Sequence, residues 1–179
     1  MKISRSPRTI ALVAMLTAVS IILARLLGFY LTPSLRVSFE YFPILLAGVC
    51  FGPAAGAITG ALADFLGATV LSGLGFNPLL MVGPTMAGLL AGLLTRYAFG
   101  GRVDRWWKFL LVCMIPDLLG NFLWGTFALS LMYGAPFGAY LGVRAPLKLG
   151  IAIVDMSLVL ALHRALQPVL TRWKRPAGA

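Results

Sequence analysis

Acidic residues are scarce: five Asp and Glu stand against fifteen Lys and Arg in 179 residues, and only 11% of the chain is charged. A water-soluble domain carries roughly a quarter charged residues, so this composition excludes an ordinary soluble fold. Histidine is nearly missing too, His163 being the one copy. The two cysteines, Cys50 and Cys113, sit in apolar surroundings without C-x-x-C or Cys/His spacing. They read as small apolar packers, and no metal ligand set can be assembled. The chain has no G-x-x-x-x-G-K-[ST] phosphate loop and no H-E-x-x-H pair, and it has no G-x-S-x-G elbow. It therefore has no means of hydrolysing ATP by itself, and no cofactor is expected.

What the chain does have is apolar length: 60% of residues are hydrophobic and the mean hydropathy is +0.93. At roughly 20 residues per membrane crossing, it holds about six spans. Turn signals separate six stretches, about Thr9 to Tyr30, Val37 to Phe51, Ala54 to Leu74, Pro78 to Tyr97, Trp106 to Tyr133 and Arg144 to Leu170. The second is short and is expected to cross only part of the hydrocarbon. The first apolar run, Ile10 to Leu27, is too long for a secretory h-region and is expected to remain as a span. The reading is an all-α integral membrane protein: one membrane domain over 1–179, folded as a bundle of six transmembrane helices in the cell membrane.

Basic residues orient it. Lys2, Arg5 and Arg8 precede the first span, Arg96, Arg102, Arg105 and Lys108 surround the fourth connection, and Arg164, Arg172, Lys174 and Arg175 follow the last. An even number of crossings puts all three clusters, and both termini, in the cytoplasm. The net charge of +10 is then mostly a topology signal. Nucleic-acid binding is not expected, since these clusters lie beside apolar helices and form no folded basic face.

The remaining cations, Arg25, Arg36, Arg144 and Lys148, fall on the outer side, against that bias. Together with Glu40 they converge on one mouth and imply a pocket for an anionic solute. Asp64, Asp117 and Asp155 lie within spans, where an ionisable side chain costs roughly 2.5 to 3.5 kcal/mol on insertion scales; each needs a partner or a ligand. Asp117, Asn121 and Trp124 follow at helical spacing, as do Arg144, Lys148 and Asp155, which places two polar stripes toward the bundle interior. The plainer reading is that these groups pair with each other, Asp64 with Arg25 or Lys148 with Asp155, and only hold helices together. Aromatics crowd the outer side as an interfacial belt; Trp124 is set apart because it shares a face with Asn121 and Asp117 and can stack on a flat heterocycle. Gly52, Gly56 and Gly60, with Gly88 and Gly92, form small-residue ladders for close helix packing. Ala11, Ala14 and Ala18 mark a smooth strip on the first span that either packs inside or docks another subunit.

The stretch from Leu35-Arg-Val-Ser-Phe-Glu-Tyr-Phe-Pro through Gly52-Pro53-Ala-Ala-Gly56 and on to Ala63-Asp-Phe-Leu-Gly67 resembles the substrate-binding subunits (S components) of energy-coupling-factor vitamin transporters, with the folate branch nearest. Ala14-x-x-x-Ala18, Asn121-x-x-Trp124 and Arg144-x-x-x-Lys148 agree with it. The resemblance implies an outward cavity for a small anionic vitamin. It also implies docking through Ala14 and Ala18 of the first helix onto a membrane coupling subunit, driven by two ATPase subunits. In this resemblance Asp64 would bond the polar edge of a pterin, Arg25, Arg144 and Lys148 would meet glutamate carboxylates, and Asn121 and Trp124 would line the ring site. The chain departs from the family where Leu79-Leu80 follows Phe76-Asn77-Pro78, and where Phe122 follows Asn121. Pantothenate-type relatives share the front motif and stand as the second substrate class. Outside vitamin transport, the chain could also be a small integral enzyme or a purely structural assembly subunit.

Overall fold

The computed structural model describes residues 7–25, 28–32, 35–37, 39–71, 76–100, 103, 106–134 and 136–174. Six crossings are made by helices α1 (Pro7–Arg25), α2 (Tyr41–Phe51), α3 (Pro53–Leu66), α4 (Pro78–Leu93), α5 (Trp106–Pro116) with α6 (Gly125–Tyr133), and α7 (Phe137–Lys174). Wider π-helical turns extend α3 (Gly67–Leu71) and α4 (Leu94–Ala98), and a third (Asp117–Trp124) joins α5 to α6 in one rod. Three of these rods are long and apolar enough to cross a membrane unaided, Pro53–Val70, Pro78–Ala98 and Trp106–Tyr133, and the others carry shorter apolar segments.

Two boundaries differ from the sequence expectation, each for a local reason. Phe29–Thr32 (β1) and Leu35–Val37 (β2) pair as an antiparallel ribbon, with Tyr30 opposite Arg36 and a bulge between Tyr30 and Thr32. Arg36 and Val37 therefore belong to a strand and do not open the second helix, which starts at Tyr41. β-branched and aromatic residues in this connection favour extended pairing. The outer connection expected over Gly134 to Val143 is also far shorter. Gly134 adopts a left-handed conformation (φ 66°) that stops α6, its N–H bonding Ser130 O at 3.0 Å, and α7 begins again at Phe137. Arg144 thus lies roughly two turns inside α7.

Elsewhere the turn chemistry is as the residues dictate. Gly52 (φ 98°) ends α2, and Pro53 starts α3 at once, where a missing N–H costs nothing. Asn77 caps α4, its side chain accepting from Leu79 N at 2.9 Å, with Pro78 in the first turn. The glycine ladder lies between helices. A side chain on Gly56 would strike the Gly88 carbonyl and one on Gly60 the Pro84 carbonyl, while one on Gly48 would come within 2.6 Å of Gly88 O. Gly83 of α4 and Gly120 of the π turn likewise press backbone on backbone. Such contacts let helices pack at close range without a hydrophobic drive from water.

The short helix α2 runs through the middle: Ile44, Leu45, Leu46 and Ala47 are all buried, and Leu45, Phe109, Val112 and Val159 belong to one core cluster. Threonines inside the bundle return their hydroxyls to their own helices, Thr59 to Ala55 O at 2.9 Å and Thr95 to Ala91 O at 2.8 Å. The described cations of the fourth connection gather with aromatics, Lys108 over Phe99 and Trp107 and Arg96 over Tyr97. His163, which precedes Arg164, packs on Phe109 and reaches Cys50 Sγ at 3.6 Å. Those basic groups therefore share one end of the bundle. Ser20 of α1 meets Glu40 O at 2.8 Å near the other end.

Candidate functional site

Pro116 has no N–H, and the helix immediately after it widens into the π turn Asp117–Trp124. π turns recur at functional sites because they re-aim side chains. Here Asp117, Asn121 and Lys148 form a buried chain. Lys148 Nζ of α7 donates to Asn121 Oδ1 at 3.0 Å, and Asn121 Nδ2 donates to Asp117 Oδ1 at 3.0 Å. The three are 8%, 6% and 5% exposed in the order Lys148, Asn121, Asp117. The amide bridges the two, accepting from the ammonium and donating to the carboxylate, so each has a hydrogen-bond partner in a poorly solvated place. Asp117 and Lys148 also line a narrow cleft whose other walls are Met114, Leu118, Phe122 and Ala152. A cation and a carboxylate on an otherwise apolar cleft, with Asn121 bonded to both, suit a ligand that joins a polar group to an apolar body.

A second narrow cleft lies among α1, α2, α3 and α4, lined by Ser20, Ala24, Glu40, Ile44, Ala63, Asp64 and Pro84. Asp64 is therefore in a recess, on a helix separate from the Lys148 chain. Ala24 on its wall is the neighbour of Arg25, the last residue of α1. The side chains of Arg25, Arg36 and Arg144 lie outside the described residues, so the expected cationic mouth is described only through Lys148.

Trp124 is tied to a neighbouring helix. Its indole Nε1 donates to Leu79 O at 2.9 Å and its ring lies 5.7 Å from that of Phe127. It is not among the lining residues of either cleft. The bond fastens the fifth crossing to the first turn of α4. No hydrogen bond joins Lys148 to Asp155: Lys148 bonds Asn121, and among the described residues neither oxygen of the buried Asp155 has a hydrogen-bond partner. Glu40 in the second cleft and Phe122 in the first were singled out in the sequence, whereas Ser20, Met114 and Ala152 carry no motif of their own; only their place close to a polar residue along the helix points to them. On α1, Ile10, Ala11, Ala14, Met15, Ala18 and Ile22 are exposed along one face while Leu16, Thr17 and Ser20 are buried. The alanine strip thus faces outward.

A family model, "ECF transporter, substrate-specific component", matches residues 8–163. No curated protein sequence matches. Among solved structures, FolT bound with folic acid is similar at 26% identity and a TM-score of 0.75, covering 88% of this chain and 93% of its own. The S component of a bacterial ECF transporter is 25% identical with a TM-score of 0.67, covering 96% and 100%. An S component for biotin, at 22% identity and a TM-score of 0.71 over 92% and 95%, shares the fold. With the family model spanning most of the chain and the fold shared with each of these structures, this chain belongs to the substrate-specific components of ECF transporters.

Proposed function

We propose that the chain captures a small anionic vitamin, folate in first place, from outside the cell and delivers it through a membrane coupling subunit driven by two ATPase subunits. The observation that carries this reading is the buried Lys148–Asn121–Asp117 chain on a cleft, in a fold similar to that of FolT bound with folic acid. Lys148, with Arg25 and Arg144, meets the carboxylates of the glutamate tail. Asp64 bonds the polar edge of the pterin, and Asn121 and Trp124 shape the ring site. The exposed strip containing Ala14 and Ala18 is the docking face for the coupling subunit. Pantothenate is the second substrate reading, favoured by the Leu35 to Gly56 stretch that such relatives share.

The experiment is calorimetric titration of folic acid, pantothenate and biotin into the purified protein. Tight binding of folic acid, lost in Arg144→Ala while the protein stays folded, is the expected outcome. Tight binding of pantothenate or biotin with none of folic acid reassigns the substrate.

A further inference from the structure

We propose that Asp155 and Asp117 form a binding site for a small monovalent cation, a proton or a sodium ion, on the C-terminal side of Lys148 along α7. Asp155 is 1% exposed, and among the described residues both of its carboxylate oxygens lack a hydrogen-bond partner. An ionised carboxylate in such surroundings is not tolerated alone; it takes up a proton or a counter-ion. It sits seven residues beyond Lys148, about two helical turns, and one turn beyond Ala152, which lines the first cleft.

The groups facing it come from each packed element. Asp117 of the π turn, Lys148 of α7 itself and Glu40 at the start of α2 are the charged groups whose electrostatic influence reaches it, and Asp117 lines the same cleft as Ala152, one turn away. The buried Cys113 of α5 adds no charge of its own. The Lys148 ammonium bonds Asn121, and a positive occupant beside Asp155 offsets the charge of that carboxylate. Among the described residues no three His, Cys, Asp or Glu side chains converge as a metal site, which disfavours a divalent ion, since calcium and magnesium demand many oxygen ligands. Asp117 is shared between this site and the cleft wall.

The same Lys148 serves both ends. A substrate carboxylate that draws on the ammonium leaves Asp117 and Asp155 more dependent on the cation, so the two ligands strengthen each other's binding, and reciprocally so. This link to substrate rests on the function proposed above; the cation site does not.

The test is the melting temperature of purified, vitamin-free protein in sodium, potassium and choline chloride at equal ionic strength, from mildly acidic to mildly alkaline pH. Wild type is expected to melt several degrees higher in sodium than in choline, or in mild acid than in alkali in every salt. Asp155→Asn, a neutral isostere, should lose that response and melt no lower than wild type in choline. Should the variant fail to fold, radioactive sodium binding to wild type, displaced by acid, supports the site. A wild type indifferent to both salt and pH, or an Asp155→Asn protein that keeps the response, overturns it. Folic acid titrated in sodium and in choline reads the coupling, with affinity expected to be about fivefold or more higher when the cation site is filled. If folic acid does not bind at all while the cation response persists, the substrate reading falls and the cation site stands.

Discussion

In the proposed function, charge recognition turns on Lys148, which lines the cleft and is held there by Asn121. Lys148→Gln keeps a donor for Asn121 but removes the ammonium. A hydrogen bond to a charged group is worth about 1.5–3 kcal/mol, so titration calorimetry should show folate affinity falling roughly ten- to a hundredfold, with the fold retained. Trp124 gives the complementary experiment. Trp124→Phe keeps an aromatic face but leaves Leu79 O without its donor, which should cost about 1 kcal/mol of stability, read as a melting temperature lower by a few degrees. Vitamin affinity should be largely unchanged if ring stacking is its role. The i, i+4 relation of Asp117 and Asn121 was legible in the sequence because it needs only helical periodicity, and it survives the π turn. The Asn121–Lys148 bond was not, since it depends on how α7 is rotated against the fifth crossing. The orphaned carboxylate of Asp155 was equally hidden: two turns of helix separate it from Lys148, too far for the direct bond that their shared face implied.

At the scale of elements, helix approach is controlled by glycine. Gly56 and Gly88 meet backbone to backbone, so Gly56→Leu forces the helices apart. Overpacking typically costs about 1–3 kcal/mol, and here it should appear as loss of folded protein in detergent by size-exclusion profile. Gly150 of α7 has open space around the position a methyl group would take, with nothing within 4 Å; Gly150→Ala should fold normally and serves as the control. The ladders, the short second span and the Gly52-Pro53 joint were readable from residue type and spacing. The β1–β2 ribbon and the early start of α7 were not. Extended pairing between Tyr30 and Arg36 depends on a partner strand, and the helix from Phe137 to Arg144 is set by a single left-handed glycine at 134 in a segment whose Gly and Pro content resembles a loop.

For the whole molecule, the proposed docking role of the outward strip of α1 predicts that binding and transport can be separated. Ala14→Trp or Ala18→Trp places bulk on a face exposed in the isolated subunit, where small residues permit close helix contact. Vitamin binding by the purified variant should stay within about twofold of wild type, while cellular uptake falls by about tenfold or more, measured with labelled vitamin. The orientation is open to the same kind of check: Arg36→Cys, in a background lacking Cys50 and Cys113, should react with an impermeant maleimide from outside the cell, and Arg96→Cys only after permeabilisation.

α2 has 11 residues, about half the rise needed to traverse the hydrocarbon, yet it occupies the axis of the bundle. Its Cys50 end lies beside His163 and Phe109 at the basic pole, and Glu40 and Ile44 at its other end form part of the second cleft. Room for a guest there then depends on helix length as well as on pocket chemistry. Adding a turn before Tyr41 would shift Glu40 by about 5 Å and turn away long guests before short ones.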